Sequence, residues 1–440
     1  MALTCSAACD RNVVVMSQVV PLAQPPRLAL YLRPGRSGSG RLQELIAQNR
    51  NPCDGVVIDS ALWSRQAELA SVARDSGLEV VLDPRSLELS SAEGHERAGV
   101  RSLPWYTREV HTPASLADFG TRKTLISRMA DFAVGHNLTA VLAPTHFIQS
   151  TGDEWWDIDD RLVAELRREL DQRNAAHLLI YRPIYVHAQV MRDAAELHRI
   201  TQRLRSSPID AIWLAVHPFG TSTAGSVALR RYVDGSRTLH EVGVPIVGMH
   251  TGTVGVLLMA LGAVGGIESG ITDGENFNVD QHTKRPVRKE GSKSMGATPR
   301  VYIQTLGVFL TAHEAEHFFS IRGMTAQHSC QNGCCPRGLQ DMLGNKLAHF
   351  VQCRSGEVSK LSKVPQQLRP KVYLDDELRP ASDRAIAASR ASARMQGARR
   401  RLDEWRKTFA GILERDGGAL PTISAAPSGK RLARLDGASG

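Results

Sequence analysis

Ionisable and hydroxyl side chains stand on or just behind short apolar runs in this chain: Arg33, Asp59, Asp83, His146, Tyr181, Arg182, His217, His250 and Glu268. Carboxylates and histidines converging on one rim from separate strands can do acid–base or covalent chemistry, because a shared pocket can hold them at different pKa values. Three histidines and two aspartates on a barrel rim also suit a metallohydrolase, since imidazole and carboxylate bind divalent zinc or iron. Against that second reading, no two histidines stand one residue apart on a strand.

A separate chemistry is written in residues 328–353, HSCQNGCCPRGLQDMLGNKLAHFVQC. Cys330, Cys334, Cys335 and His349 supply three thiolates and an imidazole, the soft ligand set of a closed tetrahedral zinc site. Gly333, Pro336 and Gly338 provide the tight turn, and His349 arrives on the helix that follows. Adjacent Cys334 and Cys335 must turn sharply to reach one ion, so Cys353 or His328 is able to replace either. Cys5, Cys9 and Cys53 are scattered. In a reducing compartment such a cluster favours metal over disulfides.

The elements that must position these groups alternate. The strand-like runs are LALYL (28–32), GVVIDS (55–60), LEVVLD (78–83), AVLAPT (140–145), HLLIYRP (177–183), AIWLAV (211–216), VPIVGM (244–249) and GAVGGIESG (262–270). Between them lie stretches with apolar residues at three- and four-residue spacing, such as RLVAELRRELDQRN. Buried strands alternating with amphipathic helices imply parallel βαβ units, and eight of them favour a closed (β/α)8 TIM barrel of the α/β class. Chemistry then collects at the C-terminal ends of the strands. The gap from Pro84 to Thr139 holds an insert of the length expected of an active-site lid. The expected organisation is a loose leader over 1–26, the barrel over 27–298, a zinc-binding subdomain with a basic helix over 299–415, and a disordered tail over 416–440.

Hydrophobic residues make up 42% of the 440 and charged residues 22%, ordinary values that argue against disorder and coiled coil. No apolar stretch reaches the roughly 18 residues of a membrane span, and the first residues lack a signal-peptide pattern, so a cytoplasmic protein is expected. The net charge of +9 is concentrated late, where Arg399, Arg400 and Arg401 form a run that attracts phosphates.

In this order of parts, a barrel followed by a three-Cys-one-His zinc region and a basic helical surface, the chain resembles the tRNA-guanine transglycosylase superfamily over residues 27 to 357. VVIDS is similar to that family's Asp-Ser strand end, which implies acid–base work for Asp59. VVLDP offers Asp83 as the reader of the incoming base. LGAVGGIESGIT resembles the stretch carrying the family's nucleophilic aspartate, here Glu268, a longer carboxylate. The family's Cys-x-Cys-x2-Cys spacing and its glycine-rich base-recognition strand are absent, so the chain resembles a distant relative, nearer the DNA-acting branch that installs deazaguanine bases. What the resemblance implies is base exchange on a guanine or deazaguanine, with Glu268 as nucleophile, Asp59 as acid/base, and His146, Arg182, His217 and His250 around the substrate. The zinc is then structural. The implied partners are tRNA or DNA and a purine or deazapurine base, with a homodimer left open and no membrane. The remaining alternatives are the metal-dependent hydrolase, using His146, His217, His250 and Asp59, and a non-catalytic nucleic-acid-binding barrel.

Overall fold

The computed structural model describes residues 26–48, 52–97, 99–271, 276–285 and 300–427. The expected leader, most of the polar 275–297 loop and the last residues of the tail lie outside this range. Eight parallel strands form where the apolar runs predict them: β1 (Ala29–Arg33), β2 (Gly55–Asp59), β3 (Glu79–Asp83), β4 (Ala140–Leu142), β5 (Leu179–His187), β6 (Ala211–His217), β7 (Ile246–Gly248) and β8 (Gly266–Gly270). Each pairs with the next, and β8 returns to β1 with Ala29 opposite Gly266 and Arg33 opposite Gly270, so the ring closes. The molecule is a (β/α)8 barrel.

The helices α1 (Ser39–Ala47), α2 (Trp63–Asp75), α3 (Phe119–Gly135), α4 (Trp155–Gln172), α5 (Ala194–Arg205), α6 (Ser226–His240) and α7 (Thr253–Ala260) separate successive strands. Every residue of α7 is buried. A helix apolar all round needs cover on both faces, and the chain after Arg300 supplies it. There α8 (Lys346–Ser362) packs against α1 and β1 and takes the place of the eighth barrel helix. The basic helix expected within 299–415 is two, Arg379–Ala388 and α9 (Ala393–Asp416), separated where Ser392 caps the second by accepting from the Met395 amide. Among the described residues no helix is long and apolar enough to cross a membrane.

Strand alternation with a period of two decides what enters the lumen. Tyr31, Val57, Val81, Tyr181 and Trp213 meet there in one apolar cluster. Below them the hydroxyls of Tyr31 and Tyr181 both donate to Glu79 Oε2, at 2.9 and 2.5 Å. The tail departs from expectation at this floor. Ala425 and Ala426 are buried in the same cluster, the Ala425 carbonyl lies 3.1 Å from Tyr31 Oη, sharing its one proton with Glu79, and the Leu420 amide donates to the Leu261 carbonyl at 3.0 Å. Gly265 permits this close approach, since a side chain there would run into the Ile423 carbonyl. A Gly-, Ala- and Ser-rich composition reads as disorder, but small residues are also what fits beneath a narrow barrel.

Candidate functional site

The same alternation that fills the lumen carries Arg33, Asp59, Asp83, His187, His217 and Glu268 inward at or near the C-terminal mouth. Asp59 and Asp83 are direct register partners on β2 and β3, and Tyr31 pairs with Glu268 so that Arg33, two residues on, overlies it. The result is a continuous chain of opposite charges. Arg33 donates through Nε to Glu268 Oε1 at 2.6 Å and through Nη1 to Asp83 Oδ2 at 2.5 Å. The Arg85 amide donates to Asp83 Oδ1 at 2.9 Å, while its guanidinium reaches Asp59 at 3.3 Å and Glu88 at 3.0 Å. His282 closes the chain against Glu88 at 2.9 Å. Arg85 adopts φ 61°, a left-handed conformation that turns the chain sharply after β3 and lets one residue serve three carboxylates.

Four carboxylates against two guanidinium groups cannot all titrate alike. Burial pushes Asp59 above the usual aspartate range, against the opposing pull of Arg85. Burial would also raise Asp83, but Arg33, Arg85 and the Arg85 amide outweigh it and hold that carboxyl down at about 2. Glu268 is fully buried, and there too the effect of burial is outweighed, by His250 and Arg33, so it stays below its ordinary value. Burial drives His250 itself down to about 4, so its imidazole is neutral near pH 7 and Arg33 is the ionised neighbour of Glu268. The His250 amide donates to Glu268 Oε2 at 2.9 Å, with the residue at φ 53°.

Two loops cover the mouth. The insert after β3 supplies Arg85 and Glu88, and residues 276–285 are fastened to it by Ser91 Oγ donating to the Thr283 carbonyl at 2.6 Å and the Arg285 amide to Glu93 at 2.7 Å. Phe277 is 1% exposed and lies nearly parallel to His250, with centroids 5.9 Å apart and 8° between planes, and packs on Tyr185 at 5.5 Å and 22°. Solvent reaches the network sparingly, with the Arg33, Asp59, Asp83, Arg85, His250 and His282 side chains 11–22% exposed and Glu268 at 0%. His217 borders the same space, accepting from the Val279 amide at 3.2 Å and meeting Phe277 and Phe147 edge to face.

Three expected rim residues are elsewhere, Tyr181 among them, since its hydroxyl points down the lumen to Glu79. β5 continues through Pro183 to His187, so Arg182 sits low on its strand and, one residue out of phase with Tyr181, faces the helices. It bonds the Asp159 carbonyl at 3.1 Å, pairs with Asp160 at 3.1 Å and lies over Trp156. His146 is completely buried, with Nδ1 2.6 Å from Asp159 and its ring stacked on Trp155 at 3.7 Å. Both belong to the layer between the sheet and α4. Among the described residues the histidines and Asp59 do not assemble into a ligand set, which removes the geometric basis of the metallohydrolase alternative.

The Cys/His window does assemble. Cys330, Cys334, His349 and Cys353 bring their ligand atoms within 4.8 Å of one another. Cys330 Sγ and Cys334 Sγ are 3.6 Å apart, and His349 Nδ1 is 3.9 Å from Cys334 Sγ and 3.5 Å from Cys353 Sγ. Sulfurs about 2.3 Å from one tetrahedral ion would be separated by about 3.8 Å, so these atoms already span a metal-sized space. His349 Nε2 faces the Tyr302 carbonyl at 2.8 Å, a partner that leaves Nδ1 to the ion. Cys353 therefore stands where Cys335 was expected. The reason is helical: His349 and Cys353 are four residues apart on α8 and share a face, whereas Cys335 Sγ, although 3.3 Å from His349 Nδ1, lies outside the mutually close set.

On α9 the expected basic run divides. Arg399 and Arg400 are exposed, but Arg401 is partly buried with its guanidinium 5.4 Å over the Trp405 ring. Neighbouring cations are committed to acids, Arg394 to Glu314 and Lys407 to Asp403.

Neither protein-family models nor curated proteins give a match to this chain. Among solved structures it is similar to a GH26 β-mannanase from Bacteroides ovatus, at 12% identity over 60% of this chain and 85% of that one, TM-score 0.37. It is also similar to the spore cortex-lytic enzyme SleL of Bacillus megaterium QM B1551 (10% identity, 52% of each chain, TM-score 0.32) and to the carboxyl transferase domain of Rhizobium etli pyruvate carboxylase bound to 3-bromopyruvate (11%, 94% of this chain and 60% of that one, TM-score 0.36). Scores this low carry no argument about activity or substrate.

Proposed function

We propose that this protein is a carboxylate-dependent glycosyl-transfer enzyme that exchanges a purine-type base in nucleic acid at the barrel mouth. The observation that carries the reading is the Asp59–Asp83 pair, register partners on adjacent strands whose surroundings push their pKa values apart, one up and one down to about 2. A carboxyl able to carry a proton beside one that stays ionised is the arrangement that double displacement at an anomeric carbon requires.

In this scheme an Asp83 oxygen attacks the anomeric carbon, the C–N bond breaks with its electron pair passing to the departing base, and Asp59 supplies that base with a proton. The incoming base nitrogen then attacks the same carbon, the glycosyl ester to Asp83 breaks, and the proton released from the base returns to Asp59. Arg33 must release whichever carboxylate attacks, since Asp83 is held by Arg33 and the Arg85 amide just as Glu268 is held by Arg33 and the His250 amide; Glu268, fully buried where Asp83 is 11% exposed, is assigned as the anchor that positions Arg33. A flat ring beside His250 is already accommodated in the form of Phe277, whose displacement would leave a slot for a planar base. The choice of guanine or a deazaguanine rests on the family resemblance.

The four-ligand Cys/His group fits zinc, which would serve as a closed structural tie between the loop at 330–334 and α8. The exposed Arg399 and Arg400 are proposed to contact the phosphate backbone. The test is incorporation of radiolabelled guanine into tRNA and into duplex DNA. Asp59→Asn should lower the rate at least 100-fold with the fold intact, and undiminished incorporation would sink the proposal. His146→Asn, away from the mouth, serves as the control.

A further inference from the structure

A second cavity, partly open to solvent, lies on the side of α7 away from the lumen, between the Cys/His loop, α8 and the C-terminal helices. It has a volume of about 710 Å³, within the range of cavities that hold small organic ligands, about 300–1,000 Å³. Its floor is α7, through Thr253 and Val256, and its far wall is Leu402 and Trp405 of α9.

Its lining is not that of a packing defect. Gly356 sits in the middle of α8, where glycine costs about 1 kcal/mol relative to alanine. Packing does not require it, since a Cβ at that position meets no atom within 4 Å. Gly356 is exposed and borders the space, so the helix gives up stability there without being required to by packing. The opposite helix is also distorted: Leu374–Leu378 form a π turn. Pro380 lacks the N–H that the helical ladder needs, and the turn absorbs the misfit. Two residues of that turn, Glu377 and Leu378, face the cavity.

The polar groups define the ligand. The Glu357 carboxylate accepts from Tyr302 Oη at 2.9 Å, pairs with Arg354 at 2.9 Å and is also hydrogen-bonded by the Gln304 side chain, which leaves about one of its roughly four lone-pair sites for a further donor. The Gln352 amide nitrogen is buried without a hydrogen-bond partner among the described residues and also borders the space. Tyr373 and Trp405 add aromatic surface. Arg354 pairs with Glu357 and Lys360 with Glu377, so only Arg384 adds uncompensated charge to the lining. A polyphosphate finds a single free counter-charge here among the described residues, that of Arg384. A neutral planar heterocycle with an N–H donor beside an acceptor finds the Glu357 carboxylate, the Gln352 amide, aromatic walls and an apolar remainder.

We infer that this cavity is a second binding site, separate from the barrel mouth, for a nucleoside-sized neutral heterocycle that presents an N–H donor to Glu357 and an acceptor to Gln352, as a guanine-type edge does. The inference does not depend on the chemistry at the mouth.

Isothermal titration of the full zinc-replete chain with guanosine tests it. Guanosine should bind saturably. Gly356→Trp, which fills the space from a position that now holds no side chain, should weaken this binding at least 10-fold, and Glu357→Gln should do the same. Gly356→Trp should leave labelled-guanine incorporation at the mouth unchanged. Asp59→Asn should leave the cavity's affinity as it was. Absence of saturable guanosine binding overturns the inference, as does binding that survives Gly356→Trp at full strength or is lost in Asp59→Asn alone. None of these outcomes bears on whether Asp59 supports base exchange.

Discussion

Arg33→Met removes the cation that joins Glu268 to Asp83 and fills the space with apolar atoms. Glu268 is fully buried and loses its ionised neighbour, while the Asp83 side chain, only 11% exposed, keeps Arg85 alone, in a place that water scarcely reaches. Breaking a buried pair from one side costs about 3–5 kcal/mol. Part of that can be read from Asp83, held at about 2 where a free aspartate titrates near 3.8, a depression worth about 2 kcal/mol. Because the folded value is the lower one, this contribution is present above about pH 3.8 and is lost as pH falls through about 2. In the variant the sign reverses for Glu268: the orphaned carboxylate titrates above its unfolded value, and its penalty is relieved by protonation as pH falls. Urea denaturation of both proteins should therefore show a gap of about 3–5 kcal/mol at pH 7 that narrows toward pH 4. A gap under about 1 kcal/mol at pH 7, or one that stays constant with pH, would refute the view of Arg33 as the electrostatic keystone of the mouth.

Three further outcomes follow from other parts of the molecule. Cys353→Ser should lose the roughly one zinc per chain that the Cys3His group is proposed to hold, while Cys335→Ser retains it, as read by elemental mass spectrometry; the opposite pattern would restore the set expected from the loop spacing. Truncation after Asp416 removes the plug beneath the barrel and should lower stability by about 2–4 kcal/mol through lost hydrogen bonds and apolar contact; an unchanged denaturation midpoint would mean that the floor does not depend on Ala425. Replacing Arg399 and Arg400 by serine should reduce the slope of log K against log salt for duplex DNA by about 2, and an unchanged slope would remove α9 from the nucleic-acid surface.

Much of this architecture is legible in the residues, and the exceptions have physical causes. All eight strands are visible because strands buried on both faces read as apolar runs. The rim positions of Asp59, Asp83 and Glu268 follow from where those runs stop. Applying the two-residue alternation along β5 would have excluded Arg182, since Tyr181 and Arg182 cannot both face the lumen. His146 carried no such warning: its burial depends on Asp159, thirteen residues away on α4. Arg85 and Glu88 were hidden because they lie on an irregular insert whose left-handed turn at Arg85 no periodicity announces. Cys353 was accessible to helical arithmetic from His349, and adjacency in the loop made Cys335 look the nearer candidate. The buried tail was misread because small residues suit both a disordered end and a tight plug.

The most direct test of the central claim is intact-protein and peptide mass spectrometry of the enzyme quenched during turnover with its nucleic-acid substrate and no incoming base. Glycosyl transfer through the rim pair should leave a sugar-linked adduct that maps to the β3 peptide at Asp83, builds up in the wild type and is absent in Asp83→Asn. An adduct on Glu268, or base exchange proceeding at full rate in Asp83→Asn, would contradict the account.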